Sequence, residues 1–194
     1  MNAANGNLLF FDIDGNLTEN PSPDTDRVNT GLNVFPDWQG GFGINADYKG
    51  IFFSAQFNYT IGVYRFDDDL AGFLDPTNIG QFRHSEDILR AWQNEGDITD
   101  VPSLTASNIA LDGDSDRFLF DSDYVRLRFL QLGYSLPQRL TDKIGLSGVK
   151  IFGNAENLLT FTSWRGLEAD APLARNSRDF PNPRIITGGI EIQF

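Results

Sequence analysis

Apolar and polar residues alternate along the chain from Gly41 to Ile61. Phe42, Ile44, Ala46 and Tyr48 interleave with Gly43, Asn45 and Asp47. Lys49-Gly50 interrupts, and then Ile51, Phe53, Ala55, Phe57, Tyr59 and Ile61 alternate with Phe52, Ser54, Gln56, Asn58 and Thr60. Successive side chains of a strand point to opposite faces, so a period of two predicts strands over 41–49 and 51–61. The Lys-Gly break predicts a tight hairpin between them. Soluble strands usually run about 5–6 residues, whereas a tilted strand crossing a bilayer needs about 9–11. This pair has the membrane length, with one face apolar and the other made of Ser, Gln, Asn and Thr.

The same pattern returns near the end of the chain. Val149, Ile151, Gly153 and Ala155 alternate with Lys150, Phe152, Asn154 and Glu156, predicting a strand over 148–157. Ile186, Gly188, Ile190, Ile192 and Phe194 alternate with Thr187, Gly189, Glu191 and Gln193, predicting one over 185–194. A further strand over 123–135 slips phase: Val125, Leu127 and Phe129 give way to Leu130, Leu132 and Tyr134. A one-residue slip would turn every later side chain to the wrong face, so a β-bulge near Phe129 is expected, with Arg126 and Arg128 on the polar side. Residues 1–40 read as a loop segment with a short strand, and 62–122 and 158–184 as long loops. Ser85, followed by Ile88, Leu89 and Trp92, predicts one short helix around Ser85 to Asn94. Short turns at one end and long loops at the other are the layout of an outer-membrane barrel; a compact soluble domain rarely carries structureless loops of this size.

Composition narrows the chemistry. The 194 residues hold 15 Lys+Arg against 27 Asp+Glu, a net charge of −12 that argues against a nucleic-acid partner. No apolar run exceeds four residues (Leu8 to Phe11), far short of the ~20 of a transmembrane helix. Cysteine is absent, which excludes disulfides, thiolate metal sites and thiol catalysis, and the single histidine, His84, cannot build a multi-histidine metal site. No metal and no cofactor is expected. Seventeen Phe with 19 Gly and 9 Pro favour strands and turns. The acidic residues crowd between Asp67 and Asp123, offset there only by Arg83, Arg90 and Arg117; a loop kept soluble by repulsion is the plain reading, since the spacing matches no calcium loop. Met1 is followed by nothing like a signal peptide.

One motif points elsewhere. Leu8 to Phe11 followed by Asp12-Ile13-Asp14-Gly15 resembles the first motif of haloacid-dehalogenase-type phosphatases. That resemblance implies Asp12 as nucleophile and Asp14 as acid/base, with magnesium held by Asp114 and Asp116 and phosphate by Lys143. Against it, Asn16 replaces the expected Thr, the helix-strand alternation of a parallel sheet is missing, and Asp-x-Asp-Gly is a common turn. A secreted carbohydrate-binding β-sandwich using Trp38 and Trp164 is the other alternative.

An ordered series of motifs carries a stronger resemblance. Asp12-Ile13-Asp14-Gly15, Pro36-Asp37, Gly41-Phe42-Gly43 and Tyr48-Lys49-Gly50 come first. Asp123-Tyr124-Val125-Arg126-Leu127-Arg128, Leu132-Gly133-Tyr134-Ser135-Leu136-Pro137, Asn154-Ala155-Glu156-Asn157-Leu158-Leu159-Thr160 and Pro181-Asn182-Pro183-Arg184 follow. From about residue 6 to 194 the chain resembles the C-terminal part of SusC/RagA-type TonB-dependent outer-membrane transporters of Bacteroidetes.

The resemblance implies an all-β fold: antiparallel up-and-down strands forming the C-terminal part of a transmembrane β-barrel, with long extracellular loops. It implies import of glycans or peptides rather than an enzyme activity. The implied partners are the remainder of the barrel and its plug, a SusD-like lipoprotein, TonB acting through an N-terminal part absent from this sequence, and outer-membrane lipid. The chain then reads as a fragment of such a transporter. On this reading Phe42, Ile44, Phe53, Phe57, Tyr59, Ile190, Ile192 and Phe194 face lipid, and Gln56, Asn58, Arg126, Glu156 and Glu191 face the lumen. Trp92 and Trp164 are candidate substrate contacts, although loop tryptophans more often pack the loop itself.

Overall fold

A computed structural model describes residues 1–111, 115–166, 168–170 and 181–194. The strands and helices in chain order are β1 (Phe10–Phe11), β2 (Leu17–Thr18), β3 (Trp38–Tyr48), β4 (Ile51–Ile61), β5 (Tyr64–Phe66), α1 (Asp68–Phe73), β6 (Leu119–Asp121), β7 (Tyr124–Ser135), α2 (Gln138–Thr141), β8 (Gly148–Thr162) and β9 (Ile185–Gln193). Two compact units share the chain. One is built mainly from Met1–Leu32 and Tyr64–Phe120, the other from Asn33–Val63 and the chain from Asp121 onward.

The second unit is a single five-stranded antiparallel sheet in the order β3-β4-β7-β8-β9. Lys49 and Gly50, at φ 49° and 90°, make the hairpin between β3 and β4; positive φ at both positions is what a primed two-residue turn demands, and Gly supplies the second without strain. β3 begins at Trp38, three residues before the expected start. Gly40 stands opposite Tyr59 on the apolar side and leaves a gap in the apolar column, so the alternation there is invisible in sequence. Trp38 is therefore a strand residue rather than the loop residue expected.

β8 runs to Thr162, five residues beyond the expected Glu156-Asn157 end. The reason is a bulge. Leu127 pairs with Leu159 and Phe129 with Glu156, which leaves Arg128 opposite Asn157 and Leu158 without a regular partner. Asn157 takes a left-handed backbone, φ 51°, which Asn tolerates better than most residues. The same step appears between β4 and β7, where Gln56 pairs with Phe129 and Phe57 with Leu127. Arg128 is thus the extra residue that restores phase, one position from the bulge expected near Phe129.

The first unit has little regular structure. β1 and β2 form a short hairpin, and β5 and β6 a second two-stranded ladder. Its buried hydrophobic residues are small or few: Ala71, Ala91, Val101, Ala110 and Phe118, with Phe66 edge-on to Phe118 at 5.8 Å. The helix expected around Ser85 to Asn94 is a five-residue 3-10 turn, Glu86–Arg90, with Ser85 Oγ accepting from the Asp87 amide. It stops at Ala91, whose ψ is 142°, and the next amide, Trp92, donates to Val101 O instead of continuing the helix. The α-helix of this region is α1, capped by Asp67, which accepts from the Leu70 amide at 2.9 Å.

Candidate functional site

The register assigns every strand side chain to one of two faces, because residues directly opposite in an antiparallel pair share a face. Phe42 pairs with Phe57, Ile44 with Ala55, Ala46 with Phe53 and Tyr48 with Ile51. Those columns continue through Leu127, Leu130, Leu132 and Tyr134 of β7, then Ile151, Ala155, Leu159 and Phe161 of β8, to Ile186, Ile190 and Ile192 of β9. Every side chain on this face is apolar or aromatic. Few are covered: Phe42 is 53% exposed and Ile190 65%. An uncovered apolar surface across five strands far exceeds the scattered apolar residues of an ordinary soluble surface. Phe42 stacks on Phe57 with ring centroids 4.9 Å apart. Phe42, Ile44, Phe53, Phe57, Tyr59, Ile190 and Ile192 all lie on it, and Phe194 follows β9 at 93% exposure.

The opposite face carries Gln56, Asn58, Arg126, Glu156 and Glu191, together with Ser54, Thr60, Gln131, Asn154, Thr160 and Thr187. Its side chains tie to one another across strands. Gln131 Nε2 donates to Asn154 Oδ1 at 2.9 Å, and Lys150 Nζ pairs with Glu191 Oε1 at 3.3 Å. Phenylalanine interrupts this polar surface where glycine faces it: the Phe52 ring covers Gly133 and the Phe152 ring covers Gly189.

At the loop end of this face sits Arg126, with 1% of its side chain exposed. Its register partners on the two neighbouring strands are Asn58 and Thr160. The guanidinium spends its donors in three directions: Nε to Thr160 Oγ1 at 3.0 Å, Nη1 to Asp170 Oδ2 at 2.8 Å, and Nη2 to Glu168 Oε1. Its Cζ lies 5.3 Å from the Tyr124 ring centre, within cation-π reach. Asn182 closes the cluster from the far side of the loop, its backbone N–H donating to Glu168 Oε2 at 3.0 Å and its Nδ2 to Asp170 Oδ1 at 3.1 Å. Ser122 Oγ, on a residue with 1% exposure, donates to the Ala169 carbonyl at 2.9 Å, and Asn157 Nδ2 donates to Pro183 O at 3.2 Å.

Two carboxylates on one arginine titrate differently. Burial raises Glu168, but the Asn182 N–H and Arg126 outweigh it and hold its carboxyl below the ordinary glutamate range. Burial pushes Asp170 up, and the neighbouring Glu168 charge adds to this against the pull of Arg126. Removing one partner of a buried charge pair strands the other, at about 3–5 kcal/mol. Arg126 was legible as a polar-face residue; Glu168, Asp170 and Asn182 were not, because they lie in the irregular stretch after β8 where no period marks them.

The other sequence candidates are placed as follows. The Trp92 indole lies over Gly6, where an added Cβ would fall 2.6 Å from the ring, and its Nε1 donates to Ala3 O at 3.1 Å. Trp164 packs in the same manner against Gly166. Asp12 serves the β1-β2 turn, its Oδ1 accepting from the Asp14 amide at 3.0 Å and the Asn16 amide at 2.7 Å. The five-stranded sheet is antiparallel throughout, not the parallel sheet that a phosphatase core requires, and Asp114 lies outside the described residues. Among the described residues no three His, Asp or Glu side chains are grouped so as to hold a metal ion. The acidity belongs to the first unit's segments. Residues 1–32 and 64–120 hold 5 basic and 17 acidic residues, 5 − 17 = −12, and the remainder is neutral with 10 of each. The hairpin segment thus shares the charge, most of which the sequence pattern placed in the 67–123 stretch.

Known proteins resemble the chain in both sequence and fold, although no protein-family profile matches it. TonB-dependent receptor P39 of Formosa agariphila is 30% identical over 97% of the chain, and TonB-dependent receptor P3 of the same organism 28% identical over 97%. The chain spans 19% of the length of each. Among solved structures, the RagAB peptide transporter superimposes over the whole chain with a TM-score of 0.85 at 27% identity, covering 22% of that protein. The RagAB peptide importer in its open-open state does so with a TM-score of 0.83 at 26% identity, covering 21%. Ordered motifs, strand register and these likenesses agree: over nearly its whole length the chain is similar to one stretch of the SusC/RagA-type TonB-dependent receptors.

Proposed function

We propose that the chain forms five neighbouring strands in the wall of an outer-membrane importer that is driven through TonB. The observation that carries this reading is the division of one membrane-length sheet into an entirely apolar face and a polar one. The apolar face meets lipid through Phe42, Ile44, Phe53, Phe57, Tyr59, Ile190, Ile192 and the terminal Phe194. The polar face, with Gln56, Asn58, Arg126, Glu156 and Glu191, lines the passage. β3 and β9 each have one edge unpaired within the sheet, and in a bilayer such edges must be satisfied by further strands, which the rest of the receptor supplies. The plug and the TonB contact reside outside this segment, and a SusD-like lipoprotein is the partner at the extracellular mouth. The cargo is an oligomer too large for a porin, a glycan or a peptide; the RagAB likeness favours peptide.

Single-cysteine labelling of the receptor in intact outer membranes tests the face assignment. A polar, impermeant maleimide should modify Ser54→Cys and spare Ile190→Cys. Recovery of the receptor in the cytosol, or the reverse labelling, would end the proposal.

A further inference from the structure

We propose that Arg126 is a positioning residue that straps the Glu168–Asp170 segment down over the polar face at the loop end of β7 and β8, narrowing the passage there. This rests on the reading that the polar face lines the passage. Three observations carry it. First, Arg126 is a strand residue on a face whose other side chains are exposed or half-buried, yet only 1% of its own is exposed; among the described residues, what it touches beyond its own sheet is Glu168 and Asp170. Second, the strap is held by charge and hydrogen bonds and not by an apolar core: only Ala169 is buried, through its carbonyl on Ser122 Oγ. A segment held that way is released by loss of a few polar contacts, whereas a packed one is not. Third, the contacts form a closed circuit. Asn182 binds both acidic side chains, Asn157 holds Pro183, and so the two sides of the loop after β8 are fastened to one arginine. A planar guanidinium that serves two carboxylates and a hydroxyl at once fits this task in a way an ammonium does not.

Ser122 is buried and its Oγ donates to the strap's Ala169 carbonyl, so it supplies the reporter. In the full receptor in outer-membrane vesicles, the Ser122→Cys thiol should react slowly with a sulfonated maleimide, read by mass spectrometry of its own peptide. Adding Arg126→Ala should raise the rate at least tenfold, and Arg126→Lys should recover part of the protection. The pair Glu168→Gln with Asp170→Asn leaves every strand residue in place and should open the strap equally, so the test stands even where Arg126→Ala fails to fold. Folding of each variant is read from its heat-modifiable migration in a gel. Unchanged labelling in folded variants would overturn the strap while leaving the barrel reading intact. Labelling of Ile190→Cys in place of Ser54→Cys would overturn the barrel reading, and with it the passage-side role of Arg126.

Discussion

The Phe52 ring lies directly on Gly133: a Cβ built on that glycine would fall 2.1 Å from Phe52 Cζ. The two residues are register partners on β4 and β7, and Phe152 repeats the arrangement with Gly189 on β8 and β9, at 2.6 Å. An aromatic ring laid over a cross-strand glycine shields its bare backbone and pins register.

Gly133→Ala should therefore destabilise the receptor, because the ring must leave its place. The expected cost is that of overpacking, about 1–3 kcal/mol. The double variant with Phe52→Leu should recover much of it. Unfolding temperature by gel mobility across the four-member cycle measures the coupling, and additive effects would show that the ring does not hold the register.

The bulge makes a second prediction. Asn157 sits at φ 51° beside the extra residue Arg128. Asn157→Gly should be tolerated, whereas a β-branched residue forced into the left-handed region costs roughly 1–2 kcal/mol, so Asn157→Val should lower the folded yield. Deleting Arg128 should be worse than either, since it turns one half of β7 to the wrong face. Assembly into the outer membrane is the measurement.

The two faces should answer differently to charge. Phe57→Lys places an ammonium in the apolar columns, at about 2–4 kcal/mol near the bilayer midplane. Ser54→Lys, on the other face, should leave assembly within error of the parent. Equal loss in both would contradict the lipid-facing assignment.

The first unit should show two opposed responses to pH. Glu19 accepts from the Asn5, Asn7 and Asn2 side-chain amides, which hold its carboxyl below the ordinary value of 4.5. Its folded pKa is lowered, so its contribution is present above 4.5 and fades as pH falls through the lowered value. Asp67 is raised above 3.8 by burial, which the Leu70 amide only partly opposes. Its contribution is full below 3.8 and is lost as pH rises through the raised value. Asp67→Asn keeps a capping oxygen for α1 and should make this region less sensitive to raising the pH, and Glu19→Gln should make it less sensitive to acid. Hydrogen exchange of the Leu70 and Asn7 amides, followed well below and well above the ordinary carboxyl range of about 4, reads both.

How much was legible depends on whether one side chain's character, repeated at a fixed interval, was enough. For β4 it was: Ile51 to Ile61 alternates without a break, and the strand occupies those residues. For β8 it was not, because Asn157 and Leu158 break the period although the strand continues to Thr162. The short helix α1 went unseen because its six residues, Asp-Asp-Leu-Ala-Gly-Phe, are too few to display a helical period.

By itself the sequence determined β4, the greater part of β3, β7, β8 and β9, the alternation of their faces away from the bulge and the hairpin at Lys49-Gly50, since each follows from local periodicity or from the backbone demands of adjacent residues. Only the tertiary structure decided that Arg128 is the bulge residue, that Phe52 needs Gly133, and that Arg126 meets Glu168, Asp170 and Asn182. Those relationships join residues that are 81, 44 and 42 positions apart or lie across a ladder, and no local pattern encodes which distant partner closes a charge.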